Sequence, residues 1–328
     1  MNRLLRCADR HDQGMKTGLH PWQPSGGLGL LVGMLVLFLG LAVTEARAQE
    51  YEINFVATGL SSPVGLTASG LGDSDSLYFT EIPQPLIGGT SSSNTVSKLT
   101  LSTGEISVLN RGDPQPTSLV QDALGNLYWT SRAPGVIMMQ SPAGDTAILV
   151  YGLEQPIGIA LDPAGQNLYY TEVPTYGVKG KDGGENKVSE FNLATQYRTL
   201  INPFEPAPWN MTVAKTGDFY FTCQSAGVIV HEDGSKLGGS ILLQGLNNPT
   251  GIAIDPAGEN LYYTEVPTPN VNGANGGQNK VSKYNLQTGV ITVVHAGDPF
   301  PNGLAVTPNG NIYWTCTTAG VIIEAKPN

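Results

Sequence analysis

Apolar and polar positions along this chain alternate with a period of two over runs of about five residues, which is the strand pattern rather than the helical one. The runs themselves recur. Leu77-Tyr-Phe-Thr-Glu81, Leu168-Tyr-Tyr-Thr-Glu172 and Leu261-Tyr-Tyr-Thr-Glu265 sit at corresponding places in three copies of a 93-residue unit. The copies open with Pro63-Val-Gly-Leu66, Pro156-Ile-Gly-Ile159 and Pro249-Thr-Gly-Ile252. Each copy contains a second, related run: Leu127-Tyr-Trp-Thr130, Phe219-Tyr-Phe-Thr222 and Ile312-Tyr-Trp-Thr315, opened by Pro116, Pro208 and Pro301. Six units result, and a fixed period of this kind marks a repeat architecture.

Each unit reads as four short strands. In the fifth these are Gly251–Ile254, Leu261–Glu265, Val281–Asn285 and Val290–His295, with Pro256-Ala-Gly-Glu-Asn260 as the first turn. Gly, Pro, Asn and Asp punctuate every join. One such sheet cannot bury both of its faces, whereas six stacked around an axis can. The fold expected for residues 49–328 is therefore an all-β, six-bladed β-propeller with four-stranded blades in one domain. The sixth unit ends at Val321–Asn328 without a fourth strand, while Ile53–Ala57 stands before the first unit with no sheet of its own. That segment is expected to complete the last blade and close the ring, removing a pair of sheet edges.

The beginning of the chain is different in kind. Arg3, Arg6, Arg10 and Lys16 precede the apolar run Leu28–Val43, and Ala46-Arg47-Ala48 follows. This is the layout of a secretory signal with its cleavage site, so residues 1–48 are expected to be removed and the remainder to be secreted or periplasmic, without membrane insertion. Removing them takes five of 17 basic and three of 27 acidic residues, leaving 12 against 24. A surface this acidic repels nucleic acid and anionic membranes. Small molecules, glycans and extracellular proteins stay open as partners, and a monomer is expected.

The pattern Gly-Ile-x-x-Asp-Pro-x-Gly-x-x-Leu-Tyr-Tyr-Thr-Glu, followed by Asn-Lys-Val-Ser, resembles the repeat of streptogramin (virginiamycin B) lyases and NHL-repeat proteins, and covers residues 51–328. Tyr-Trp-Thr is similar to the repeat of lipoprotein-receptor propellers, although their closing Asp is absent. Pro301-Asn-Gly-Leu-Ala305 resembles a segment of SMP-30/gluconolactonase-like and strictosidine-synthase-like propellers. In gluconolactonase-like enzymes, the resemblance implies, an Asn at this place helps hold a channel metal, and Asn302 is the residue that carries over. Propellers of this kind serve many chemistries, so function has to come from the site.

The two blade types differ. In blades one, three and five the second strand ends in Glu81, Glu172 or Glu265, and a Gly- and Asn-rich loop follows; in blades two, four and six Ser131, Cys223 or Cys316 takes that place before a tight turn. Three long loops are thus expected to rim one face around the axial channel. Two readings of the glutamates are open. They would hold calcium or another divalent cation with Asn210 and Asn302 as ligand-binding partners, or they accept backbone N–H groups at strand ends, with the asparagines capping turns. No cofactor is certain from the sequence.

Lyase chemistry of the streptogramin type is expected to need a histidine. Only His231 and His295 follow the signal, both expected on the periphery. Cys223 and Cys316 lie on blades that are not adjacent and are expected as buried thiols, not a disulfide. Arg111-Gly112-Asp113 and the sequon Asn210-Met-Thr212 are expected to be structural: the first has a counterpart in Ala296-Gly-Asp298, and the second opens an inner strand. Three function classes remain. The first is a secreted binding or scaffold module using its long-loop face. The second is a metal-dependent lactonase, hydrolase or lyase, and the third a structural envelope or matrix protein.

Overall fold

A computed structural model describes residues 51–83, 93–174, 185–203, 205–234, 239–267 and 278–328. They form six four-stranded antiparallel sheets, five of them running in chain order from an inner to an outer strand. Blade one consists of Pro63–Ala68, Ser76–Glu81, Thr95–Thr100 and Glu105–Arg111. The inner strands of the next five are Pro116–Gln121, Pro156–Leu161, Pro208–Val213, Pro249–Ile254 and Pro301–Val306. Each inner strand contacts the next around the ring, and that of blade six contacts that of blade one. The architecture is a six-bladed β-propeller. Tyr51–Ala57 pairs antiparallel with Val321–Pro327, Phe55 lying opposite Ile323, and is the outer strand of the sheet that contains Pro301–Val306.

The second strands supply the core. Trp129, Trp314, Tyr170, Tyr263, Phe79 and Phe221 lie among the largest fully buried side chains, between neighbouring blades. Truncating one of them to Ala would cost about 3–5 kcal/mol, because the apolar contact is lost and a cavity is left behind.

A ring of threonines joins the blades at their inner edge. Every inner strand slips register between its Pro and its fourth residue, as between Pro156 and Ile159, so the residues between are unpaired within the blade. Thr80, Thr130, Thr171, Thr222, Thr264 and Thr315, all fully buried, repair this gap. Thr171 Oγ1 accepts the N–H of Gly158 at 2.8 Å and donates to the Trp209 carbonyl of blade four at 3.0 Å. The pattern repeats around the axis and closes where Thr315 donates to the Val64 carbonyl at 2.9 Å. Buried backbone groups left without partners cost about 1–3 kcal/mol each, which explains why the second strand carries Thr at this place in all six units.

The same close approach dictates glycine at the third inner-strand place. A Cβ on Gly65 would lie 2.0 Å from the Thr117 carbonyl oxygen, and one on Gly251 1.9 Å from that of Asn302. Only blades two and four depart, with Ser118 and Asn210. The residues before the six inner-strand prolines, Ser62, Gln115, Gln155, Ala207, Asn248 and Phe300, all adopt left-handed backbone, with φ between 48° and 59°. This is uncommon for non-glycine residues. Each such carbonyl accepts an N–H from just beyond the second strand, for example Val173 to Gln155 at 3.2 Å.

Candidate functional site

The axis of the ring holds a well of about 240 Å³ whose walls are the later halves of all six inner strands. It lies toward the face that carries the turns between first and second strands. Its side chains are small or aliphatic, with Thr67, Ser118, Asn210 and Thr212 as the polar members and no ionisable group among the lining residues. Ser118 and Asn210 occupy the place that is Gly158 in the blade between them, and Ser118 Oγ donates to Asn210 Oδ1 across that glycine at 3.2 Å. The Met211 N–H also donates to Asn210 Oδ1, at 2.9 Å. A backbone N–H can only donate, so this bond fixes which end of the amide is oxygen. The amide nitrogen is then the group that Asn210, which lines the well, has left to donate, and the Thr212 hydroxyl is two residues along the same strand.

On the opposite side of the ring, where the long loops depart, the half-buried Trp209 packs with Ile157, Val173 and Ala207. The Arg132 guanidinium lies over its indole, 6.0 Å from the ring centroid. Gln155 steadies that guanidinium, accepting from Nη2 at 2.8 Å. Trp209 and Arg132 were not singled out from sequence. The signal was present: Trp209 holds the place where the other inner strands carry Val64, Thr117, Ile157, Thr250 and Asn302.

The three strand-end glutamates are held within their own blades. Glu81 accepts the Ser61 N–H at 2.7 Å and the Thr95 hydroxyl at 2.8 Å. Glu172 accepts the Glu154 N–H at 2.7 Å and faces Lys187 at 3.5 Å. Glu265 accepts the Asn247 N–H at 2.9 Å and pairs with Lys280 at 3.0 Å. Burial pushes the Glu172 carboxyl up from its ordinary range, against the Glu154 N–H and Lys187, which favour the charged form. None of the three lines the axial well. Asn210 does; Asn302, buried one place nearer the strand start, does not, and its carbonyl takes the Thr264 bond. No group of three or more His, Cys, Asp or Glu side chains among the described residues is placed to hold a metal ion. The described residues therefore do not fit the channel cation that the gluconolactonase-like resemblance implies, because their carboxylates are spent on protein donors. The middles of the long loops, 84–92, 175–184 and 268–277, lie outside the described residues.

The even blades reverse the arrangement. Here the acid stands in the connection leading to the inner strand, in the sequence Asp113-Pro-x-Pro, Glu205-Pro-x-Pro or Asp298-Pro-x-Pro. Asp113 accepts the Trp129 indole N–H and the Ser131 hydroxyl. Asp298 accepts the Trp314 indole N–H at 2.8 Å and faces His295 Nε2 at 3.3 Å. Cys223 donates to Glu205 at 3.4 Å. Burial foremost, then the neighbouring acids, pushes both thiols up, so Cys223 and Cys316 are neutral, buried and free. Asp113 is buried with its carboxylate engaged, which closes the Arg-Gly-Asp sequence to a receptor. His231 stacks on Tyr220 with centroids 4.9 Å apart, away from the well.

No protein-family model and no curated protein matches the sequence. Solved structures do. A gluconolactonase from Xanthomonas campestris is similar at 12% identity and TM-score 0.65, over 88% of this chain and 93% of that one. A streptogramin B lyase is similar at 16% identity and TM-score 0.57, over 85% and 98%. A chain of the nidogen/laminin complex is similar at 20% identity and TM-score 0.57, over 72% and 80%. At such identities the likeness is one of fold, and that fold has hosted two enzymes and a member of a protein–protein complex.

Proposed function

We infer that this chain is a secreted binding module, a propeller that recognises a small uncharged molecule at its axis. The observation behind this reading is the chemistry of the axial well. Its walls come from six blades, it offers an amide and hydroxyl groups, and no titratable side chain lines it to act as acid or base or to activate a hydroxyl. General acid–base catalysis needs a titratable group within hydrogen-bond reach of the reacting atom. Recognition needs only a rigid apolar wall with a few convergent polar groups, and inner strands locked by the threonine ring provide that rigidity. The Trp209 and Arg132 ledge on the long-loop face offers a second contact surface at the other end of the axis. Secretion is supported by the basic, apolar and Ala-x-Ala succession before Gln49.

Ligand profiling by thermal shift, with and without EDTA, tests the reading, since a ligand that binds only the native state raises the melting temperature. Neutral polyols, amides and lactones are expected to give stabilisation that persists in EDTA and disappears in Asn210→Ala. Stabilisation or turnover that EDTA abolishes and Glu172→Gln removes would replace this reading with the metal-dependent lactonase, hydrolase or lyase.

A further inference from the structure

Between blades one and two lies a groove of about 420 Å³ that shares no lining residue with the axial well. Much of its lining is aliphatic. Leu71 and Leu124, on the first turns of the two blades, are 58% and 78% exposed, and Val108, Leu109 and Pro142 continue the lining. The two glutamines in the groove are consumed in holding it open. Gln121 Oε1 accepts the Ser69 hydroxyl at 3.2 Å and the Gly70 N–H at 3.1 Å, while its Nε2 donates to the Gly125 carbonyl at 3.2 Å. Gln140 Nε2 donates to the Leu109 carbonyl at 3.2 Å, tying the two blades together.

One pair of polar groups in the groove is not consumed. Tyr78 and Lys98 are directly opposite each other on the second and third strands of blade one. Neither the Tyr78 hydroxyl nor the Lys98 ammonium has a hydrogen bond or ion pair with any described residue, and no acidic side chain lines the groove. An unpaired, half-buried cation is unusual in a protein with 27 acidic and 17 basic residues. The repeat supplies the comparison. At the interface of blades three and four, Glu190 takes the place of Lys98 and Tyr169 stacks on Phe219 at 5.0 Å. At the interface of blades five and six, Lys283 takes the place of Lys98 and Tyr262 that of Tyr78, but there Lys283 has an interaction of its own and Tyr51 packs against Tyr262. The cation with a neighbouring free hydroxyl is thus particular to blades one and two.

We propose that this groove is a second binding site, separate from the axial well, for a small amphiphilic carboxylate: an anion held by Lys98 and the Tyr78 hydroxyl, with an apolar body laid along Leu71 and Leu124. The charge chooses the head group and the leucines choose the tail. A neutral analogue leaves Lys98 unsatisfied, and a cationic one is repelled.

Calorimetric titration of the mature protein with phenylbutyrate, phenylbutanol and phenylbutylamine tests this. Phenylbutyrate should bind one site, with the alcohol weaker by about tenfold or more, the cost of losing a charge-assisted hydrogen bond, and the amine not binding. Lys98→Met should weaken phenylbutyrate by a similar factor and leave the alcohol unchanged. Leu124→Asp, on an exposed turn where folding is insensitive, should weaken both. Asn210→Ala, in the axial well, should change neither, which separates this site from the one above. Equal affinity for acid and alcohol, or Lys98→Met binding phenylbutyrate as the parent does, overturns the proposal, as does an absence of binding by the folded parent.

Discussion

The odd and even blades solve one problem in opposite ways. Where the chain enters a blade, its backbone N–H groups and the end of the second strand must be tied together. In blades one, three and five the tie is a glutamate on the second strand reaching back to a backbone N–H, as Glu265 reaches Asn247. In blades two, four and six the acid has moved to the incoming connection and receives the donors of the second strand, as Asp298 receives Trp314. The difference teaches that the carboxylates spaced around this ring are structural first, and that the repeating unit is the pair of blades. Three-fold symmetric acids invite a metal reading, but each of them already has a partner.

The largest expected effect comes from the even side. Asp298→Ala would strand the buried Trp314 indole N–H and remove the acid beside Cys316 and His295. A loss of about 3 kcal/mol is expected, since one partner of a buried, charge-assisted set is deleted. Glu265→Gln keeps an acceptor for the Asn247 N–H and gives up the charge opposite Lys280, whose side chain is about a third exposed. Screening holds that loss to about 1 kcal/mol. Urea unfolding followed by tryptophan fluorescence measures both. Equal losses would mean that the two kinds of tie are equivalent; a larger loss for Glu265→Gln would point to a ligand on the odd-blade acids.

Much of this was legible in the residues. Leu-Tyr-Tyr-Thr-Glu announced the second strands, and the strand before the first repeat had a counterpart only in the incomplete last unit. Four things were less legible. The glutamates could be seen but not their partners, because a backbone N–H leaves no mark in sequence. The threonine ring was written in every unit, yet its meaning depends on the carbonyl of the next blade, which exists only once the wheel has closed. The acids at 113, 205 and 298 carry a regular Pro-x-Pro signature, but the donors they receive lie on the second strand, some 16 to 18 residues further along the chain. Asn210 and Asn302 looked alike as inner-strand asparagines; a single step along the strand puts one in the axial well and the other under a neighbour's threonine.

A second test exchanges the two solutions at the level of one atom. Cys316→Ser converts blade six to the arrangement of blade two, where Ser131 donates to Asp113. The hydroxyl is a stronger donor than the thiol but buries less apolar surface, so the two changes offset and a net effect within about 1 kcal/mol is expected. A loss several times larger would mean that the thiol has a role beyond packing.

The smallest effect is a matter of pH and belongs to one interface alone. The outer-strand residue at this register is Asn110 in the first repeat and Asn202 in the second, but in the third it is His295, which faces Asp298 at 3.3 Å. The hydrogen bond to Asp298 raises the imidazole above its ordinary pKa, with burial working against it. A raised histidine contributes stability that is fully present below its unfolded value of about 6.5 and is lost as pH rises through the folded value. The parent should therefore exceed His295→Asn in stability at pH 5.5, and the gap should narrow by pH 8.5. Because the imidazole is 32% exposed and its charge is partly screened, the narrowing should be under about 1 kcal/mol. Paired urea titrations at the two pH values measure it, with Asn202→His as the converse: placed beside Glu232, the carboxylate that accepts from Asn202 Nδ2 at 2.5 Å, the new imidazole should introduce the same dependence. A gap that is flat with pH would show that His295 serves by packing on Trp314, with ring centroids 5.8 Å apart, and not by its charge.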